Sequence, residues 1–240
     1  MDEQLQFSFG ELPSWAKRLA VFDLETTGLD LTEARIVTAC ALEIDEMGAV
    51  VGEEFEWLAD PGIEIPLAAS NVHGVTTQRA KAEGRDAKEV VSELLETLRG
   101  FLGRGIPVVA YNAPYDFSIL HYEALRHGLE PLASPKPVID PLVLDKFVDT
   151  YRSGKRTLET ACRVYGVKLS DAHNATADAI AAGRVAQSIA SKHAQKLPAD
   201  VFELHDAQIA WSDAQDASYE KFRRGSNPEF VIQRGWPVKL

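Results

Sequence analysis

Four carboxylates and one histidine, Asp23, Glu25, Asp116, Asp178 and His173, stand where chemistry would account for them. Asp23 and Glu25 end the apolar run Leu19-Ala20-Val21-Phe22, which closes in Thr26-Thr27-Gly28, the pattern of a short buried strand ending at a turn. Residues two apart on a strand point to one face, so these carboxylates stand side by side where the strand runs out. Like charges that close repel unless a proton or a cation sits between them, and a hard cation is one solution. The other reading has one acid facing solvent and its neighbour capping the turn; on this stretch alone both stand. Asp116 follows Tyr111-Asn112-Ala113-Pro114-Tyr115, where Pro114 is placed to open a helix, and Asp178 falls in the first turn of another. Asp116 can equally serve the helix dipole as a cap. His173 precedes Asp178 by five residues, and at about 100° per residue one helix would aim the two about 140° apart. His173 therefore belongs to the loop before the helix, a place that suits a proton carrier.

The elements that must position these groups follow from the hydrophobic pattern. Residues 36–44 read as a second strand, and the run from Ala49 to Trp57 as a third, reached by a hairpin at Gly48 and ended by Asp60-Pro61. Residues 62–70 read as a loop, leaving His73 in a turn beside Gly74 where a side chain faces a groove. Val90, Val91, Leu94, Leu95, Leu98, Phe101 and Leu102 form a helical stripe, and 106–111 and 138–140 supply a fourth and a fifth strand. Helices follow Pro114, Pro141, Thr157 and Asn174, and a last one spans 198–223 before an irregular tail. Strand ends and helix starts of an α/β layer converge on one edge of the sheet, which would bring the four acids together. An all-oxygen cluster with one His suits Mg²⁺ or Mn²⁺ rather than zinc. A pair of such cations stabilises both oxygens of an in-line phosphoryl displacement, so phosphodiester hydrolysis is the chemistry this set serves best.

Composition bounds the partners. The 240 residues divide into an arm (1–18), a main domain (19–193) and a helix with an irregular tail (194–240). A formal net charge of −11 argues against coating nucleic acid through a bulk positive field, though two divalent cations would reduce it to −7. Arg152-Ser153-Gly154-Lys155-Arg156 is the one dense basic patch, read as a solvated loop face that a phosphate could meet. Two unpaired cysteines, no basic-then-apolar leader and no apolar run of membrane length lead to the expectation of a cytoplasmic protein with no membrane contact.

Three segments, Phe22-Asp23-Leu24-Glu25-Thr26-Thr27-Gly28, Tyr111-Asn112-Ala113-Pro114-Tyr115-Asp116 and His173-Asn174-Ala175-Thr176-Ala177-Asp178, resemble in order the three motifs of the DEDDh 3′→5′ exonucleases. The proofreading ε subunit of bacterial DNA polymerase III belongs to that family, and the likeness runs from about Leu19 to Lys192. It implies a ribonuclease H-like fold, a mixed five-stranded sheet flanked by helices with a helical C-terminal extension. It further implies two divalent metals on Asp23, Glu25, Asp116 and Asp178, and His173 as the base that activates water. The terminal nucleotide would lie on Thr26, Thr27, Gly28 and Leu29, with His73 beside the scissile position and Asn112 and Tyr115 flanking the second motif. Oligoribonucleases of the superfamily carry Met where Thr26 stands, so the resemblance leans toward DNA 3′ ends, with RNA and a catalytically silent binding module as alternatives. Residues 199–240 do not match the polymerase-binding segment of the ε subunits, so a DNA polymerase subunit and a stand-alone enzyme both stay open. Gln4-Leu5-Gln6-Phe7-Ser8-Phe9 resembles the Gln-led, aromatic-ended peptides that dock on the bacterial sliding clamp.

Overall fold

A computed structural model describes residues 11–169 and 174–240. The arm's Gln4–Phe9 segment and His173 lie outside the described residues. Strand β1 (Leu19–Thr26) pairs antiparallel with β2 (Ile36–Ile44), which pairs antiparallel with β3 (Val50–Asp60). The β2–β3 turn holds because Asp45 accepts the N–H groups of Met47 and Ala49, both at 2.9 Å, while Gly48 supplies a φ of 70°. Two short strands, β5 (Val108–Val109) and β6 (Val138–Ile139), add in parallel beyond β1.

A sixth strand, β4 (Arg85–Asp86), pairs parallel with β3 and corrects the expected count of five. Both its residues are exposed, so no hydrophobic alternation announces it. Glycine makes it possible: a Cβ on Gly84 would sit 2.6 Å from the Asp60 nitrogen and 2.3 Å from the Ala80 carbonyl oxygen. The sheet order is β4-β3-β2-β1-β5-β6. Together with the helices on both faces this is the ribonuclease H-like arrangement.

Helix α1 (Leu67–His73) begins inside the stretch read as a loop, and α2 (Thr77–Glu83) follows where no element was expected, so His73 ends a helix instead of lying in a turn. No residue of α1 is buried, which removed the apolar signal a helix usually gives. Helix α3 (Ala87–Gly103) covers one face of the sheet with α4 (Ala113–Arg126), against Ala20, Phe22 and Leu24. On the opposite face α7 (Ala175–Lys192) packs on Leu19, Val21, Leu42 and Ile44 with α5 (Pro141–Val148) and α6 (Leu158–Tyr165). A Cβ on Gly183 would come within 2.5 Å of Val21 and 2.6 Å of Ile44, so glycine lets α7 settle directly onto β1 and β2.

Helix α5 stops at Val148 because its last carbonyls are taken from outside: Arg156 donates to the Asp145 and Asp149 carbonyls at 3.1 and 2.5 Å, and Lys196 to Val148 at 2.9 Å. Arg152 and Arg156 also both pair with the Asp145 carboxylate, so the two arginines of the basic patch fold inward while Lys155 between them stays exposed. Helix α8 (Val201–Arg224) lies along β6, and the tail returns to place Trp236, 8% exposed, in the core cluster of α3 and α4. Among the described residues, no helix is long and apolar enough to cross a membrane.

Candidate active site

Strand alternation decides where the first two acids go. Leu19 and Val21 face α7, Ala20, Phe22 and Leu24 face α3 and α4, and Asp23 and Glu25 continue the α7 side. Asp178, in the first turn of α7, hangs over that same end of the strand. Ligand oxygens of Asp23, Glu25 and Asp178 lie within 4.8 Å of one another. A register shift between Glu25 and Thr26 then breaks the β1–β2 ladder, the kind of bulge that re-aims side chains beside a site.

Asp116 approaches from the other side, in the first turn of α4, where it is 2% exposed. One of its oxygens accepts the Leu24 N–H at 3.1 Å, which locks α4 to the strand between the two β1 acids and leaves the other oxygen for a ligand. Burial pushes the Asp23 carboxyl well above the usual range, and the charges of Asp116, Glu25 and Asp178 push it further. Burial and the Asp178 charge push Glu25 up to about 7. Asp116 is raised by burial against the pull of its Leu24 hydrogen bond. Such a set is uncomfortable when all its members are ionised and is relieved by positive charge. Its donors are all carboxylate oxygens, as Mg²⁺ and Mn²⁺ require, so the residues fit the metals expected from the motifs.

A groove of about 1000 Å³ opens beside the cluster, and Glu25, Thr26, Thr27, Gly28, Leu29, His73, Asn112 and Tyr115 all line it. The Thr26 and Tyr115 hydroxyls lie 2.5 Å apart, and each is 2.9 Å from the Gly28 carbonyl, tying the turn after β1 to α4. Thr27 exchanges backbone and side-chain bonds with Arg35, both 2.9 Å, and so fixes the turn from behind. Leu29 is 85% exposed at the rim. His73 Nδ1 accepts the Val75 N–H at 3.2 Å, which assigns the proton of the neutral ring to Nε2; burial holds its pKa below the ordinary value.

Tyr111, Leu142, Arg156, Thr157, Leu158, Pro66 and Val72 also line the groove, and the sequence reading did not assign them to it. Helix α1, unrecognised there, supplies Ala68, Ala69 and Val72. Asp140 was missed as well: 1% exposed, it accepts the N–H groups of Asn112 and Ala113 at 2.9 and 3.0 Å. An Asp followed by Pro at a strand end was its only signal, and it read as the last residue of the fifth strand.

A family model described as exonuclease, RNase T, matches residues 20–186. Curated relatives include the DNA polymerase III PolC-type proteins of Streptococcus thermophilus, 30% identical over 208 residues, and Bacillus subtilis, 29% over 203; each match covers 85% of this chain. The chain spans only 13% of the length of either. Among solved structures, E. coli Exonuclease I in complex with a dA16 oligonucleotide superposes with a TM-score of 0.63 at 18% identity, over 78% of this chain and 42% of that one. Exonuclease I of Methylocaldum szegediense gives 0.61 at 20% identity over 74% and 41%. These likenesses carry the fold, and the family match, with the acids of all three motifs meeting at one strand end, carries the rest: the chain belongs to the RNase T exonuclease family, in its DEDDh-type group.

Proposed function

We propose that the protein is a metal-dependent 3′→5′ exonuclease that releases nucleotides from DNA 3′ ends, in proofreading or repair. The observation that carries this reading is the triad of carboxylates beside a groove lined by all seven residues expected to bind substrate. Asp23, Glu25, Asp116 and Asp178 would hold two Mg²⁺ or Mn²⁺, which supply charge for the attacking and leaving oxygens of an in-line displacement.

The chain's own groups do the rest. The Thr26–Tyr115 pair fixes the Gly28 carbonyl and with it the backbone of Thr27, Gly28 and Leu29 against the terminal sugar. Leu29, exposed at the rim, offers an apolar face to the last base. His73, its Nδ1 held by the Val75 N–H, stands in the groove wall beside the scissile position, and Asn112 and Tyr115 line the same groove. His173 takes the proton of the attacking water.

The oligonucleotides named with the Exonuclease I structures, dA16 and dT13, and the polymerases among the relatives favour DNA over RNA. The same relatives are the ground for a polymerase contact, and Gln4–Phe9 for a sliding-clamp contact. Two buried free thiols, Cys40 and Cys162, suit a reducing cytoplasm. The deciding experiment incubates 3′-labelled single-stranded DNA and RNA oligonucleotides with Mg²⁺ and with chelator. Mononucleotides released from DNA only with metal are expected. Release from RNA alone would transfer the reading to an exoribonuclease, and no release from either would leave a binding module.

A further inference from the structure

Helix α4 starts abnormally. Asn112, its N-cap, has φ 66° and ψ 50°, and among the described residues it alone holds a left-handed conformation without being glycine. Its side chain makes no capping bond. The capping is done from a neighbouring strand end, by Asp140, whose Oδ1 accepts Asn112 N–H at 2.9 Å and Leu142 N–H at 2.9 Å while Oδ2 accepts Ala113 N–H at 3.0 Å. One buried carboxylate thus caps two helices, α4 and its own α5.

The fourth donor comes from the far end of the chain. Trp236 Nε1 lies 3.4 Å from Asp140 Oδ2, so each carboxylate oxygen receives two donors. The tail that carries it is held in turn: Lys239 N–H donates to Ser118 of α4 at 2.8 Å, and the Trp236 ring packs on His205 with centroids 4.9 Å apart. Helix α8 completes the cradle. Gln208 accepts from Asp140 N at 2.7 Å and donates to the Val138 carbonyl at 3.0 Å, while His205 Nδ1 accepts from Val138 N at 3.0 Å. Side chains of α8 therefore satisfy the open edge of β6 as a further strand would.

Everything the second motif contributes hangs from that kink. Tyr115 and Asp116 lie within four residues of Asn112, one bonded to Thr26 and the other to Leu24. We propose that Asp140, braced by the Trp236 indole, is a positioning residue that acts through the Asn112 kink to aim Asp116 and Tyr115 at the carboxylate cluster. The C-terminal tail is then part of the hydrolytic apparatus without touching substrate. This rests on the exonuclease reading.

The test uses the full chain with Asp140→Asn, Trp236→Phe and Leu98→Ala, the last a buried α3 side chain that is neither in the carboxylate cluster nor among the partners of Asp140 and serves as a destabilised control. Trp236→Phe keeps an aromatic side chain but loses the N–H together with part of the indole's volume, and Leu98→Ala controls for the lost packing. Asp140→Asn is expected to lose about 10- to 100-fold in kcat with little change in KM, and to bind Mn²⁺ about tenfold more weakly in calorimetry. Trp236→Phe should lose several-fold in the same two quantities, in proportion to one lost hydrogen bond. Leu98→Ala should melt earlier yet keep the wild-type kcat and Mn²⁺ affinity. Should the Asp140 and Trp236 variants behave like the control, the carboxylate is only a cap and the proposal is overturned. If Asp140→Asn does not fold, Trp236→Phe decides by the same two readouts. A wild type that hydrolyses nothing removes the exonuclease reading instead, and the Mn²⁺ titrations still judge the positioning role.

Discussion

Without metal, the cluster should weaken the fold, and Glu25 shows by how much. Its carboxyl rises from 4.5 to about 7, through burial and the Asp178 charge. At 1.36 kcal/mol per tenfold step of acidity that is about 3 kcal/mol, and partial solvent access reduces it to about 2. The sign follows from which state holds the proton. Below 4.5 both folded and unfolded Glu25 are protonated and nothing is lost. Between 4.5 and about 7 the unfolded chain releases the proton while the folded one keeps it, so stability falls as pH rises and levels off above that window. Glu25→Gln removes the charge with little change of shape. In chelator at pH 8 it should be more stable than wild type by about 2 kcal/mol, roughly 4–8 °C in Tm for a chain of this size. Most of the gain should vanish at pH 5. Adding Mg²⁺ should reverse the order, because the wild type alone gains full binding energy from the cation. Thermal melts followed by circular dichroism across this pH range measure it. A variant no more stable at pH 8, or equally stabilised at pH 5, would refute the electrostatic account of the cluster.

His173→Ala should lose roughly 10²–10⁴-fold in hydrolysis while binding Mg²⁺ and DNA nearly as before, and the acidic limb of its pH profile at saturating metal should flatten. The same profile for His193→Ala should match wild type; identical profiles for the two variants would exclude His173 as the base. Gly183→Ala should destabilise by about 1–3 kcal/mol by overpacking, despite the better helix former, because its Cβ meets Val21 and Ile44 at 2.5 and 2.6 Å. Chemical denaturation checks it, and a neutral result would mean α7 can lift from the sheet freely. Tyr115→Phe removes the hydroxyl shared with Thr26 and the Gly28 carbonyl, and should cost about 1 kcal/mol in kcat/KM, near fivefold, in steady-state assays of oligonucleotide hydrolysis.

The site was legible where one element carries the chemistry. Asp23 and Glu25 share a face because they lie two apart on β1, and nothing beyond the strand period is needed to say so. Asp116 and Asp178 were readable as first-turn acids, since Pro114 and Asn174 mark helix starts. The strand count failed at β4, whose two exposed residues have no pattern and whose pairing depends on the close approach at Gly84. His73 was placed in a turn because α1 buries none of its residues and so lacks a period to read. Asp140 shows a deeper limit. Locally it is a cap before Pro141, but its partners Asn112 and Trp236 are 28 and 96 residues away, and no spacing rule connects them.

The basic patch shows the same limit from the side of charge. A run of cations in a loop reads as a solvated face that a phosphate could meet, yet Arg152 and Arg156 spend their guanidinium groups on Asp145 and on the end of α5. Among the described residues that line the groove, Arg156 is the one Arg or Lys, and its charge is already paired. A chain of net charge −11 therefore has little fixed positive charge with which to hold a phosphate backbone there. Its grip must come from cations bound at the carboxylates and from apolar contact at Leu29, so binding should be metal-dependent. Fewer counterions are released when few Lys or Arg meet phosphates, and the slope of log K against log salt should be shallow, about −1, for a single strand. Fluorescence anisotropy of a labelled oligonucleotide with His173→Ala, which keeps all four metal-binding carboxylates, titrated with KCl at constant Mg²⁺, measures the slope. A value of about −3 or steeper would mean that cations outside this groove carry the DNA, and the acidic site would then be only the cutting edge of a larger binding surface.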